Sequence, residues 1–209
     1  EYEKFGLLPA MPENSFRQPF EVPLGDVVIG PTTHVSLIAP DGTVMDLKLG
    51  QEFQPIRRGA IGDANGGLVF LGYGIRSDEF RFDEFANIDV AGKIVVVIRR
   101  EPQNYDGGAF QGTVTSPNAY IDRKLELLKL AKAAAVVFVN DFSSSPTEQS
   151  DELATPSSFG NDGTSLPFVH VKQRIIDRVL NTTPLTTQDG QSLSSLQAAE
   201  KYIDANLKP

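Results

Sequence analysis

Ile94, Val95, Val96, Val97 and Ile98 form an uninterrupted β-branched run. A strand with one wet face alternates polar and apolar residues, so a run without alternation reads as a strand buried on both faces. Ala135 to Val139 repeats the pattern, and Leu68 to Leu71 supplies a third member. Between the second and third in chain order, Ser116 and Pro117 make an N-cap followed by proline at the first helical position. Ile121, Leu125 and Leu128 then recur at i, i+4 and i+7, the stripe of an amphipathic helix. A strand, a helix and a strand in this order form a crossover unit, which makes Ile94–Ile98 and Ala135–Val139 parallel neighbours. The class is mixed α/β.

Upstream, the chain reads as β. Short apolar stretches at Phe20 to Val22, Val27 to Ile29, Val35 to Ile38 and Val44 to Leu49 are separated by Pro23, Gly25, Gly30 and Pro31, and by the turn Pro40, Asp41, Gly42. Residues 1–15 read as an incoming tail with a short helical end. Downstream, residues 143–165 are so rich in Ser, Thr, Pro, Gly, Asn and Asp that they predict a surface loop with too little apolar area to order itself. Pro167 to Val171 reads as a short strand. Ile175, Ile176, Val179 and Leu180 mark a helix, and Ser194 with Gln197 opens a last helix through Leu196, Ala199, Tyr202 and Ile203.

Charge narrows the partners. Of 209 residues, 27 are acidic and 19 basic, a net charge of −8, with no dense Lys/Arg run. Gripping phosphate backbones or anionic lipid requires clustered positive charge, so neither nucleic acid nor a membrane is an expected partner. The longest apolar run, Ala133 to Val139, falls far short of the roughly 20 residues that cross a bilayer. Cysteine is absent, which removes disulfides, thiolate nucleophiles and cysteine-based zinc sites together. The chain opens on Glu1 without an initiating Met or a secretory leader and reads as a segment of a longer protein.

The residues that carry hydrolytic chemistry are scarce. His34 and His170 are the two imidazoles, each inside a strand-like run and neither in a metal-binding spacing. The acidic stretch from Asp78 to Asp89 is interrupted by Arg81 and pinned by Phe80, Phe82 and Phe85, so it reads as a solvated connector rather than a Ca²⁺ loop. No Gly-x-Ser-x-Gly elbow or Ser-x-x-Lys pair occurs. Gly72 and Gly74 lack the third glycine and following helix of a dinucleotide site, and Gly92–Lys93 lacks the rest of a phosphate loop; both read as turns feeding strands. No catalytic and no metal-ligating residue is assigned. Arg99 and Arg100, at the carboxyl end of a central strand, are the candidate contacts for substrate, because ligands gather outside the carboxyl ends of parallel strands and arginine clamps a carboxylate bidentately.

Gly67 to Ile75, followed by Asp83 to Val97, resembles the protease-associated (PA) domain inserted in zinc aminopeptidases of peptidase family 28. The later segments Ala135 to Asp141 and Leu166 to Val171 are similar to further strands of that family, in the same order. Gly6 to Pro9 with Ser15 to Phe20 is similar to its entry, and Leu193 to Ala199 to its exit helix. The chain departs at Ala133, where the family has a glycine that stops the crossover helix, and over Glu101 to Thr115, which matches no family segment.

The resemblance implies a swivelling β/β/α domain that lacks catalytic residues and packs as a lid over a di-zinc peptidase domain of the same chain. It divides the sequence into a linker (1–15), the PA domain (16–190) and an exit helix (191–209). It implies two zinc ions in the parent enzyme and none held by this segment, ligands beyond Pro209, a peptide or protein substrate, and an extracellular or periplasmic location. Two other functions fit the residues: an independent protein- or peptide-binding module using the 101–115 and 143–165 loops, and a hydrolase working with carboxylates alone.

Overall fold

The computed structural model of the chain describes residues 2–6, 8–9, 32–56, 58–60, 62–155 and 166–207. A short 3₁₀ turn spans Tyr2–Phe5. The strands expected at Phe20 to Val22 and Val27 to Ile29 lie outside the described residues, as does much of the entry segment. The first described strands are β1 (Ser36–Ile38) and β2 (Val44–Asp46), an antiparallel hairpin. Its turn is closed by Asp41, whose carboxylate accepts the Thr43 amide proton at 2.9 Å.

A five-stranded sheet organises the rest. In chain order its strands are β3 (Phe53–Pro55), β4 (Leu68–Phe70), then, after a small β5/β6 hairpin (Arg76–Ser77 and Phe82–Asp83), β7 (Ile94–Ile98), β8 (Ala135–Val139) and β9 (Phe168–Val171). Across the sheet the order is β3-β9-β8-β7-β4. The crossover reading holds: β7 and β8 are parallel neighbours, with Ile94 opposite Ala135 and Ile98 opposite Val139, and the pairings β4·β7 and β8·β9 are parallel as well. Only β3 runs antiparallel, pairing Phe53 with Val171. The crossover helix α1 (Ile121–Leu130) connects β7 to β8; α2 (Gln173–Thr182), a hairpin β10/β11 (Leu185–Thr186 and Ser192–Leu193) and α3 (Leu196–Asn206) complete the chain.

Because successive side chains of a strand point to opposite faces, the central strands feed two cores. Val96, Ile98, Val137, Val139 and Val171 join Phe53, Ile175 and Ile176 of α2, and Leu196 and Ile203 of α3. Val95, Val97, Val136, Phe138 and Phe168 join Leu125 and Leu128 of α1. β7 and β8 are therefore buried on both faces, as their runs predict. β4 is not: it is the sheet's edge and only half-buried, since nothing pairs with its outer side among the described strands.

Several boundaries move. Ser116 caps the 3₁₀ turn Pro117–Ala119 through the Asn118 amide (3.2 Å), and α1 starts afterwards, behind Tyr120. The cap of α3 is Ser195, whose hydroxyl accepts from the Ala198 amide at 3.2 Å, one residue later than the expected Ser194. The left-handed stop of the crossover helix forms without glycine. Lys132 adopts φ +61°, and the Lys132 and Ala133 amides donate to Lys129 and Leu128 carbonyls at 3.0 Å each, a Schellman ending.

The described part of the 143–165 segment is ordered. Ser145 and Asp151 are buried, and Asp151 accepts protons from the Gln173 amide (2.7 Å) and Asn140 Nδ2 (2.9 Å). Its polar groups are held by buried polar partners, which an argument from apolar area does not count.

Candidate functional site

The carboxyl ends of β7 and β8 lie side by side and continue into the pairs Arg99–Arg100 and Asn140–Asp141. Arg99 extends the ladder, its amide donating to Val139 O at 2.8 Å. Its guanidinium reaches Asn140 Oδ1 at 3.4 Å. Asn140 is buried, and its Nδ2 donates to Asp151 Oδ1 (2.9 Å) and to Glu152 O (3.0 Å), which leaves the amide oxygen turned to Arg99.

Arg100 is a non-glycine residue in the left-handed region, φ +63°. Its Nε lies 3.5 Å from Asp141 Oδ1. The Asp141 carboxylate is itself buried and fixed by the Ser143 hydroxyl, the Ser144 hydroxyl (2.6 Å) and the Ser144 amide (3.0 Å). Each arginine at the end of β7 is thus oriented by the residue beside it at the end of β8.

A buried lysine secures the corner from beneath. Lys124, on α1, donates from Nζ to Ile98 O at 2.8 Å and to Arg100 O, and stands 5.6 Å from the Tyr73 ring centroid. Removal from water pushes its pKa down, while the charges of Glu84, Asp141 and Glu101 act in the opposite direction. Glu84 is also fully buried; its carboxylate accepts from the Tyr73 amide (2.9 Å) and the Ile75 amide (2.8 Å). Burial pushes it up against the pull of those two amides. Gly72, at φ +80°, is required here, because a Cβ would land on Glu84 Oε1.

The Glu101 to Thr115 loop leaves from this corner and is anchored at both ends. Buried Glu101 accepts from the Ser116 amide at 2.7 Å and from the Ser116 hydroxyl. Gln103 donates through its amide to Asp204 Oδ1 (2.9 Å) and through Nε2 to Asp204 O (2.7 Å), tying the loop to α3. Phe110 is buried, with ring centroids 4.3 Å from Phe80 and 5.5 Å from Phe82. The aromatics of the acidic stretch therefore do pin it, as expected, and they hold this loop as well.

Arg99 and Arg100 line one cleft of about 420 Å³ between the end of β7 and the start of α1, with Arg58, Thr115, Tyr120 and Asp122. Arg58 pairs with Asp122. Arg58, Tyr120, Lys124 and Glu84 were not singled out by the sequence. Lys124 carried a signal: it sits at i+3 on the stripe Ile121, Leu125, Leu128, in phase with the buried face.

Among the described residues no group of three or more His, Asp or Glu side chains is arranged to hold a metal ion. His34 is exposed and contacts Thr32 O at 2.8 Å. His170 is buried, and its Nδ1 accepts the Ala154 amide proton at 2.8 Å. Burial, then the charges of Arg99 and Lys172, push its pKa down to about 4, so it is neutral at pH 7. The zinc ions implied by the resemblance find no donor set in these residues.

The family model described as the PA domain matches residues 60–179, more than half of the chain and the whole stretch from the approach to β4 to α2. The chain belongs to the PA domain family. Among solved structures this PA domain is similar to the aminopeptidase from Aneurinibacillus sp. strain AM-1, with 16% identity over 68% of this chain and 26% of that one, at a TM-score of 0.40. It thus spans about a quarter of that chain's length. No curated protein matches it.

Proposed function

We propose that this PA domain is a non-catalytic accessory domain, a lid that governs substrate access to a separate di-zinc aminopeptidase domain of peptidase family 28 in the same, exported polypeptide. In this reading residues 1–15 enter from the peptidase, 16–190 form the lid, 191–209 lead back, and Arg99 and Arg100 meet the peptide substrate at the rim.

One observation carries the non-catalytic part. The groups with the most perturbed protonation are each engaged by the chain itself: the Tyr73 hydroxyl, pushed up by burial, donates to Asp204 Oδ1 at 3.3 Å, and the others hold backbone. Lys124 binds two carbonyls, Glu84 two amides, His170 the Ala154 amide and Glu200 the Phe142 amide, the last at 2.9 Å. General acid–base work needs such a group within reach of a substrate proton, and these face the chain itself. Membership of the protease-associated family supports the peptidase context.

Turnover of an uncharged aminoacyl arylamide separates the alternatives. The full-length protein should hydrolyse it, lose activity under a chelator and recover it with zinc, while residues 1–209 alone should be silent. Arg99→Ala in the full-length enzyme should raise KM for peptides. Hydrolysis by the isolated chain would falsify the accessory role, and peptide binding by a full-length protein without peptidase activity would favour an independent binding module.

A further inference from the structure

We propose that the cleft between the end of β7 and the start of α1 is a preorganised carboxylate-binding subsite, in which Arg99 and Arg100 take a carboxylate group of a peptide. The proposal rests on the accessory-domain reading for its substrate context and names the ligand class.

Charge is the first argument. The chain as a whole carries −8, yet this cleft gathers three guanidinium groups against two carboxylates, Asp122 paired with Arg58 and Asp141 beside Arg100, which leaves the Arg99 guanidinium without a carboxylate among the described residues. A concave site of one sign, walled by protein, concentrates its counter-ion.

Orientation is the second. Arg99 and Arg100 are directed by Asn140 and Asp141 through long contacts of 3.4 and 3.5 Å, each using one nitrogen. A guanidinium has five N–H donors in a rigid fork. The two side chains are therefore aimed by fixed neighbours while most of their donors stay unused among the described residues, which suits a planar, bidentate acceptor such as a carboxylate.

The third is what the fold maintains to keep the corner in place. Ending a strand in water needs neither a left-handed arginine nor a buried lysine. Here Arg100 holds φ +63° and Lys124 is buried to tie Ile98 O and Arg100 O together. Backbone strain and buried charge persist where the surroundings over-determine them, and they concentrate at binding sites. The volume, about 420 Å³, falls in the ordinary range of small-ligand sites. At the rim Tyr120, 56% exposed, offers a ring, and Thr115 a hydroxyl, to the residue that bears the carboxylate.

Calorimetric titration of the full-length protein tests this with three N-acetylated tetrapeptides. One has neutral side chains and a C-terminal acid, the second is its C-terminal amide, and the third is an amide with one Glu side chain. Acetylation blocks cleavage from the amino end. The neutral amide should bind about ten- to a hundredfold more weakly than the acid, the Glu amide or both, the loss that accompanies a charge-assisted hydrogen bond. Which of the two charged peptides binds identifies the carboxylate as terminal or side-chain. Arg99→Gln should erase the difference, and Arg99→Lys should restore only part of it, because an ammonium cannot form the fork. Equal affinity for all three peptides by the native protein overturns the subsite, as does discrimination that survives Arg99→Gln. Arylamide turnover in the same preparation separates the two ideas: turnover without carboxylate discrimination removes the subsite alone, and discrimination without turnover removes the peptidase reading alone.

Discussion

Lys132 and Arg100 share a backbone conformation that L-residues avoid, at φ +61° and +63°, and they differ in what the conformation serves. Arg100 carries its guanidinium into a cleft. Lys132 is exposed and only ends α1, where a left-handed residue lets the Ala133 amide reach Leu128 O. Glycine at this ending would remove the Cβ clash of the left-handed region at the expense of more freedom in the unfolded chain. Lys132→Gly should therefore stabilise the fold by about 0.5–1 kcal/mol. A thermal melt followed by circular dichroism should shift upward by roughly 2–4 °C at most for a chain of this length. An unchanged or lower midpoint would mean that the lysine side chain contributes something its exposure does not reveal. The helix ending was not legible from Ala133, because the sequence rule looks for glycine while the hydrogen bonds require only the dihedral angle.

Elements were legible where one pattern decided them. β7 and β8 follow from unbroken β-branched and apolar runs, and α1 from a 3.6-residue stripe, so the parallel crossover could be read directly. β3 gave no such signal: it has three residues, one of them Pro55, and it exists because β9, more than a hundred residues later, offers an edge to pair with. The described part of the 143–165 segment, residues 143–155, was misjudged for a related reason. Its order comes from Asp151, which receives the Gln173 amide and the Asn140 side chain, and from Gln173, whose Nε2 donates to Asn140 O (3.0 Å) and Ser145 O (3.1 Å). Such pairings join residues distant in sequence and leave no periodicity. The site was half legible on the same grounds: the strand-end rule found Arg99 and Arg100, while the groups that orient them belong to this network. Asp151→Ala leaves two buried donors without their acceptor, at about 1–3 kcal/mol each. Urea denaturation should show a loss of 2 kcal/mol or more. A loss under about 0.5 kcal/mol, the scale of an ordinary surface change, would return this segment to the status of an unstructured loop.

At the scale of the whole molecule, α3 lies against the carboxyl ends of the sheet through two carboxylates, and proton binding there is coupled to stability. Glu200 accepts the Phe142 amide beside Asp141, and Asp204 accepts the Gln103 amide and the Tyr73 hydroxyl (3.3 Å). Burial pushes Glu200 up to about 7, and the charges of Asp141 and Asp204 push in the same direction, against the pull of the Phe142 amide. The folded state then holds a proton that the unfolded chain releases near pH 4.5. The stability this group contributes is complete below about pH 4.5 and is lost as the pH rises through about 7. His170 works in the opposite direction: held down to about 4, it contributes stability that is complete above pH 6.5 and is lost as the pH falls through about 4. Other buried groups titrate over the same range, so the pH profile of the native protein alone does not isolate either one. The difference between variant and native protein does. Glu200→Gln keeps a carbonyl oxygen for the Phe142 amide and has no proton to lose, so its urea midpoint should gain on the native value steadily between pH 4.5 and 7.5. His170→Gln should change the gap below pH 6.5 and leave it constant above. If the Glu200→Gln gap stays the same at every pH, the three carboxylates do not share a field, and α3 is held to the sheet by Leu196 and Ile203 in the apolar core, with its carboxylates as bystanders.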